Sequence, residues 1–154
     1  MKRKIYDELL KWKNESARDC ALMIDGVRRV GKSYIVEEFA KNEYDSYILI
    51  DFNIATEHVK FLFENYLSDL DTFFMMLTTI YNTKLFEHKS LIIFDEVQLF
   101  PKARAAIKYL VKDNRYDYIE TGSLVSIKKN VKDIQIPSEE RHIKMKRKDL
   151  DESW

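Results

Sequence analysis

Glycine is scarce in this chain, with three among 154 residues, at Gly26, Gly31 and Gly122. A sequence so sparing keeps glycine where the backbone needs room or an unusual angle, so these positions are markers. Cysteine occurs once, at Cys20. That excludes an internal disulfide and a thiolate metal cluster, and it suits a reducing compartment. Net charge is missing as well: 26 Lys and Arg balance 26 Asp and Glu, so whole-chain charge selects no partner. No apolar run approaches the roughly 20 residues that cross a bilayer. Met1, Lys2, Arg3 and Lys4 make a basic start, but Asp7 and Glu8 interrupt the apolar segment a signal peptide would need. The expectation is a cytoplasmic protein with no membrane partner.

What remains is a chain that is 45% hydrophobic and 34% charged, long enough to bury a core as a single domain. Residues 4–13 read as a short amphipathic helix, with Ile5, Leu9 and Trp12 spaced along one side. Beyond it, apolar runs alternate with helical patterns. Strands are expected at 21–24, 47–52 (YILIDF), 90–97 (SLIIFDEV) and 116–121 (YDYIET), with a further short one among Ile134, Ile136, Ile143 and Met145. Helices are expected from Ser33 to about Asn42, Thr56 to Leu67, Asp69 to about Asn82 and Pro101 to about Lys112. Asp69, Asp71 and Thr72 suit a helix start, and Pro101 suits a first turn. Phe73, Phe74, Met76, Leu77 and Ile80 would form the apolar side of their helix. Such alternation predicts an α/β fold whose parallel sheet is covered by helices on both faces.

Gly26-Val27-Arg28-Arg29-Val30-Gly31-Lys32-Ser33 satisfies the phosphate-loop pattern G-x-x-x-x-G-K-[ST] at every fixed position. Ala21, Leu22, Met23 and Ile24 lead in as a buried strand, and a helical run from Tyr34 to Lys41 leads out. That is the context the chemistry demands: a strand end, bare backbone N–H groups, then a helix N-terminus facing an anion. The stretch 26–34 is the candidate nucleotide-phosphate site.

A second site lies in Leu91-Ile92-Ile93-Phe94-Asp95-Glu96, four apolar residues delivering two acids at a strand tip. Ligands of open parallel sheets sit at that edge. Mg²⁺ there takes one or two carboxylates together with phosphate oxygens and water. Asp95 would hold the metal with the Ser33 hydroxyl, and Glu96 would polarise the attacking water as general base. Asp-Glu at this place favours hydrolysis over transfer to a small metabolite, which would need a lid that the sequence does not display. The third glycine follows the fourth strand, in Glu120-Thr121-Gly122-Ser123. Either Thr121 or Ser123 could present a hydroxyl to the water or the γ-phosphate, though Thr-Gly-Ser also makes an ordinary turn.

GVRRVGKSY, LIIFDEVQ and ETGSLVSI, in this order, resemble the prokaryotic AAA+ superfamily ATPases that carry an AAA domain. The resemblance covers residues 5–145. It implies a three-layer P-loop fold of the additional-strand type, with strand order 5-1-4-3-2 and ATP and Mg²⁺ as cofactors. By the same likeness Gly26, Gly31, Lys32 and Ser33 form the nucleotide and Mg²⁺ loop. Asp95 and Glu96 become metal acid and catalytic base, and Thr121 or Ser123 a sensor. It further implies an ATPase domain over 1–145, a basic tail over 146–154, and a nuclease-like C-terminal domain in longer members that this chain does not reach. N-terminal segments of such ATPases often flank the nucleotide base, a role open here to Ile5 and Tyr6.

Three further readings concern partners. Between 128 and 148, Lys128, Lys129, Lys132, Arg141, Lys144, Lys146, Arg147 and Lys148 face only Asp133, Glu139 and Glu140. This basic end suits nucleic acid or a neighbouring subunit, but also a solvated tail, since no aromatic residue interleaves for base stacking. Arg141, Arg28 and Arg29 are candidate arginine fingers for a homo-oligomer. The competing functional reading is a nucleotide-binding interaction module that hydrolyses feebly, serving a partner protein.

Overall fold

The computed structural model describes residues 2–26, 32–123 and 140–145. In chain order these form α1 (Lys2–Glu15), β1 (Ala21–Gly26), α2 (Lys32–Glu43), β2 (Ser46–Asp51), α3 (Glu57–Asn65), α4 (Leu70–Tyr81), β3 (Ser90–Asp95), a 3₁₀ turn (Val97–Leu99), α5 (Pro101–Asp113), β4 (Asp117–Gly122) and β5 (Glu140–Met145). All five strands are parallel, in the order β5-β1-β4-β3-β2. The fold class and strand order expected from the sequence are those observed.

Strand alternation sorts the core into two halves, because successive side chains point to opposite faces. On one face, Leu22, Ile24, Leu91, Ile93 and Ile119 pack with Ile5, Leu9 and Trp12 of α1 and Ile35, Val36 and Phe39 of α2. On the other, Ala21, Met23, Ile48, Ile50, Ile92, Phe94 and Tyr118 meet α3, α4 and α5 through Val59, Phe63, Phe73, Leu77, Ile107 and Leu110. Phe63 is the hub of this second half. Its ring lies 5.1 to 5.9 Å, centroid to centroid, from those of Phe52, Phe73, Phe94 and Phe100.

Helix ends follow local chemistry. The Asp69 carboxylate accepts from the Thr72 amide at 3.3 Å and from its hydroxyl at 2.6 Å, capping α4. Pro101 opens α5, and left-handed Asn82 and Asn114 close α4 and α5.

Several expectations need correcting. α1 extends beyond 4–13 at both ends. Ile5 is buried in the core, and the Tyr6 hydroxyl donates to Glu43, at the far end of α2 from the phosphate loop. Neither is placed to flank a base. Ile80, assigned to the apolar side of α4, is 40% exposed, because the buried stripe runs through Phe73, Phe74 and Leu77. The third strand stops at Asp95 rather than Val97, since Glu96 turns left-handed. Ile134 and Ile136 lie outside the described residues, as does the tail at 146–154.

Below the sheet, the Tyr44 hydroxyl donates to Asp117 at 2.6 Å. Burial pushes the Asp117 carboxyl above its ordinary range, while this bond, Lys13, Arg18 and His88 pull it back. A carboxyl raised on folding lowers stability as pH climbs from about 4 through its folded value, because the native state holds the proton longer. Tyr44→Phe removes the donor, so it should cost about 1.5–3 kcal/mol at neutral pH and less near pH 3, where the carboxyl is neutral. Thermal melts across that pH range check it.

Candidate functional site

Four strand tips meet at the C-terminal edge of the sheet: Gly26 on β1, Asp51 on β2, Asp95 on β3 and Gly122 on β4. β4 lies between β1 and β3. Parallel pairing sets the tips level, with Asp51 opposite Asp95 and Asp25 opposite Gly122. Crossover helices leave from this edge, so α2 brings Ser33 to it directly after the loop.

Three chain segments converge on one carboxylate. Ser33 Oγ donates to Asp95 Oδ1 at 2.6 Å, and Thr121 Oγ1 donates to the same oxygen at 2.6 Å. Thr121 is fully buried, and its oxygen also accepts the Glu96 backbone N–H at 3.1 Å. Glu96 therefore leaves the strand with its amide fixed, in a left-handed conformation at φ 57°, ψ 49°. Side chains of this type rarely adopt that region. The conformation turns the chain sharply into the 3₁₀ turn, where Gln98 Nε2 donates to Glu96 Oε2 at 2.7 Å.

Asp95 is 6% exposed. Burial raises its pKa first of all; the Ser33 and Thr121 bonds oppose the rise, and the charges of Asp51 and Glu96 add to it. A buried carboxylate whose donors are two neutral hydroxyls and whose neighbours are acidic is a place where a cation lowers the energy. The donors are hydroxyl and carboxylate oxygens, which suits a hard ion. Among the described residues no three His, Cys, Asp or Glu side chains gather as a metal cluster. Oxygen donors of this kind fit Mg²⁺, which needs few protein ligands when phosphate and water supply the rest.

Ser33, Asp95, Glu96 and Thr121 thus come together through these bonds, while Ser123, half-buried, follows the β4 tip. Val27, Arg28, Arg29, Val30 and Gly31, and the Lys32 side chain, lie outside the described residues. Tyr34, expected among the nucleotide contacts, is 59% exposed on the first turn of α2. The backbone of Arg141 pairs with Leu22, whereas Gly26 pairs with Met145. Four residues of strand, about 13 Å, therefore separate it from the loop of its own chain. Sequence reasoning missed Asp51, and it quoted Gln98 within LIIFDEVQ without giving it a role. Asp51 carried a visible signal, since YILID ends an apolar strand on an acid just as LIIFD does.

A parallel five-stranded sheet with a glycine-bracketed loop after β1 and an acid at the β3 tip defines a P-loop nucleotide-binding domain. Residues 18–147 match the family described as AAA domain, and the chain belongs to that family. It is a nucleotide-binding, AAA-type domain. Among curated proteins none matches. Thirteen chains of solved structure match. One is that of C. elegans PCH-2, 12% identical, with a TM-score of 0.40 over 91% of this chain and 38% of that one. The present chain thus spans well under half of that structure. No helix among the described residues is long and apolar enough to cross a membrane.

Proposed function

We infer that this AAA domain is a Mg²⁺-dependent ATPase whose cycle drives a conformational change in a further domain or a partner. The observation that carries the reading is the convergence of Ser33, Asp95 and Thr121, joining the helix after the loop to two strand tips. In this reading Gly26 to Ser33 cradles the phosphates with backbone N–H groups, and Lys32 pairs with the β- and γ-phosphates. Ser33 and Asp95 would hold Mg²⁺, which when bound neutralises charge between the phosphates. Glu96 takes the proton of the attacking water. Thr121, bonded to both Asp95 and the Glu96 amide, fixes the two acids relative to each other. That leaves Ser123, beyond the strand tip, as the hydroxyl for the γ-phosphate.

Lys32→Ala tests the binding half. Loss of charged hydrogen bonds to phosphate should weaken ATP about tenfold to hundredfold, with the ATP-dependent rise in melting temperature lost at equal ligand. Equal stabilisation of both proteins would sink the reading. Specific activity measured against protein concentration tests the role of a second copy, because a site completed by a neighbour's arginine turns over faster when crowded. A slow, binding-dominated module is the alternative. It should be stabilised by ATP yet release no phosphate at any protein concentration.

A further inference from the structure

We propose that Gln98 is a positioning residue that orients the Glu96 carboxylate and ties it to the tip of β4. The proposal rests on the reading of Glu96 as general base and extends it by one residue. Two independent observations meet at the Gln98 amide. Its nitrogen donates to Glu96 Oε2 at 2.7 Å, across the 3₁₀ turn that follows the left-handed residue. Its oxygen is buried, makes no hydrogen bond among the described groups, and lies against the β4 backbone. A Cβ built on Gly122 would come within 2.5 Å of that oxygen, with Val97 Cγ1 and Met23 Cε each at 3.5 Å behind it.

Gly122 is thus glycine for want of space: the notch left by its missing side chain is filled by the Gln98 amide. A carboxamide needs a reason to sit there, because its oxygen is buried with no hydrogen bond from the described groups in return. The return lies at the other end of the group. With Oε2 held by the amide, Glu96 keeps its second oxygen in one orientation, as a base oriented by a third group requires. Since Ser123 follows Gly122 directly, a shift of the β4 tip on contact with a γ-phosphate moves the wall against which the amide rests. Glu96 is then aligned by the same strand that reads the nucleotide.

Turnover and ATP affinity should be measured on the intact chain carrying Gln98→Leu, Gln98→Glu or Gly122→Ala, with ATP and Mg²⁺. Gln98→Leu loses the donor at similar volume and should lower kcat about tenfold or more, as expected for one hydrogen bond to a charged group, with KM and ATP affinity near wild type. Gln98→Glu keeps the shape but sets a like charge against Glu96, and should fall at least as far. Gly122→Ala displaces the amide and should lower kcat in the same direction. Melting temperatures separate a misfolded variant from a misaligned one; if Gln98→Leu does not fold, Gln98→Glu decides. Wild-type kcat in a folded Gln98→Leu or Gln98→Glu protein overturns the proposal, as does a rise in KM with kcat unchanged. If the wild-type chain itself fails to hydrolyse ATP, or Glu96→Gln hydrolyses it normally, the base reading falls first and this proposal with it.

Discussion

Glu96→Gln is expected to bind ATP as the wild type does and to hydrolyse it about 10²–10⁴-fold more slowly, the usual contribution of a placed general base. The substitution is nearly isosteric. The Glu96 amide would still donate to Thr121, so the link from β3 to β4 at this tip would be kept. The amide oxygen of glutamine can accept from Gln98 as the carboxylate does. What disappears is the ability to take a proton from water. Phosphate release measured beside the ATP-dependent shift in melting temperature separates the two effects. Unchanged release would remove Glu96 from the chemistry. A loss of stabilisation by ATP would instead mean that it serves binding.

Phe63→Ala is expected to cost about 3–5 kcal/mol, the range for emptying an aromatic site in a core. Domains of this kind are held together by only about 5–15 kcal/mol, so the variant stands near the limit of folding. Four rings would lose their common neighbour at once, since Phe63 meets Phe52, Phe73, Phe94 and Phe100 from α3. One of them, Phe94, directly precedes Asp95 on β3. The cavity thus lies behind the site, and the folded fraction should also bind ATP·Mg²⁺ less tightly. Urea denaturation checks the first effect, with the midpoint falling and the slope against urea unchanged. A shift below 1 kcal/mol would show that the surrounding helices close over the gap.

The layers of this fold were legible because each strand is short, apolar and punctuated. YILID and SLIIFD end on acids, and β1 ends on a glycine. The strand order came from the likeness to a family, since periodicity says nothing about which strands are neighbours. The loop, Asp95 and Glu96 stand out in the sequence as motifs because phosphate and magnesium chemistry, in the function proposed here, would fix both residue types and spacing. Thr121 and Ser123 could not be ranked, because two hydroxyls either side of a glycine look alike until one of them is buried against Asp95. Gln98 stands inside LIIFDEVQ, yet no role for it could be read there, for a different reason. Its significance lies in the notch at Gly122, a feature of packing between elements far apart in sequence.

The place of β1 in the sheet bears on the order in which the domain is completed. β1 carries the phosphate loop and is made early, yet Ala21 finds one of its two neighbours only in Glu140. With β1 already paired to β4, this last pairing closes the chain between Gly122 and Glu140. Until residues 140–145 have emerged, one side of β1 is an open row of backbone donors and acceptors. The first strand of the chain is the last to gain its second neighbour. A nucleotide that binds only the finished sheet would therefore act on folding as well as on function, drawing the late strand into place.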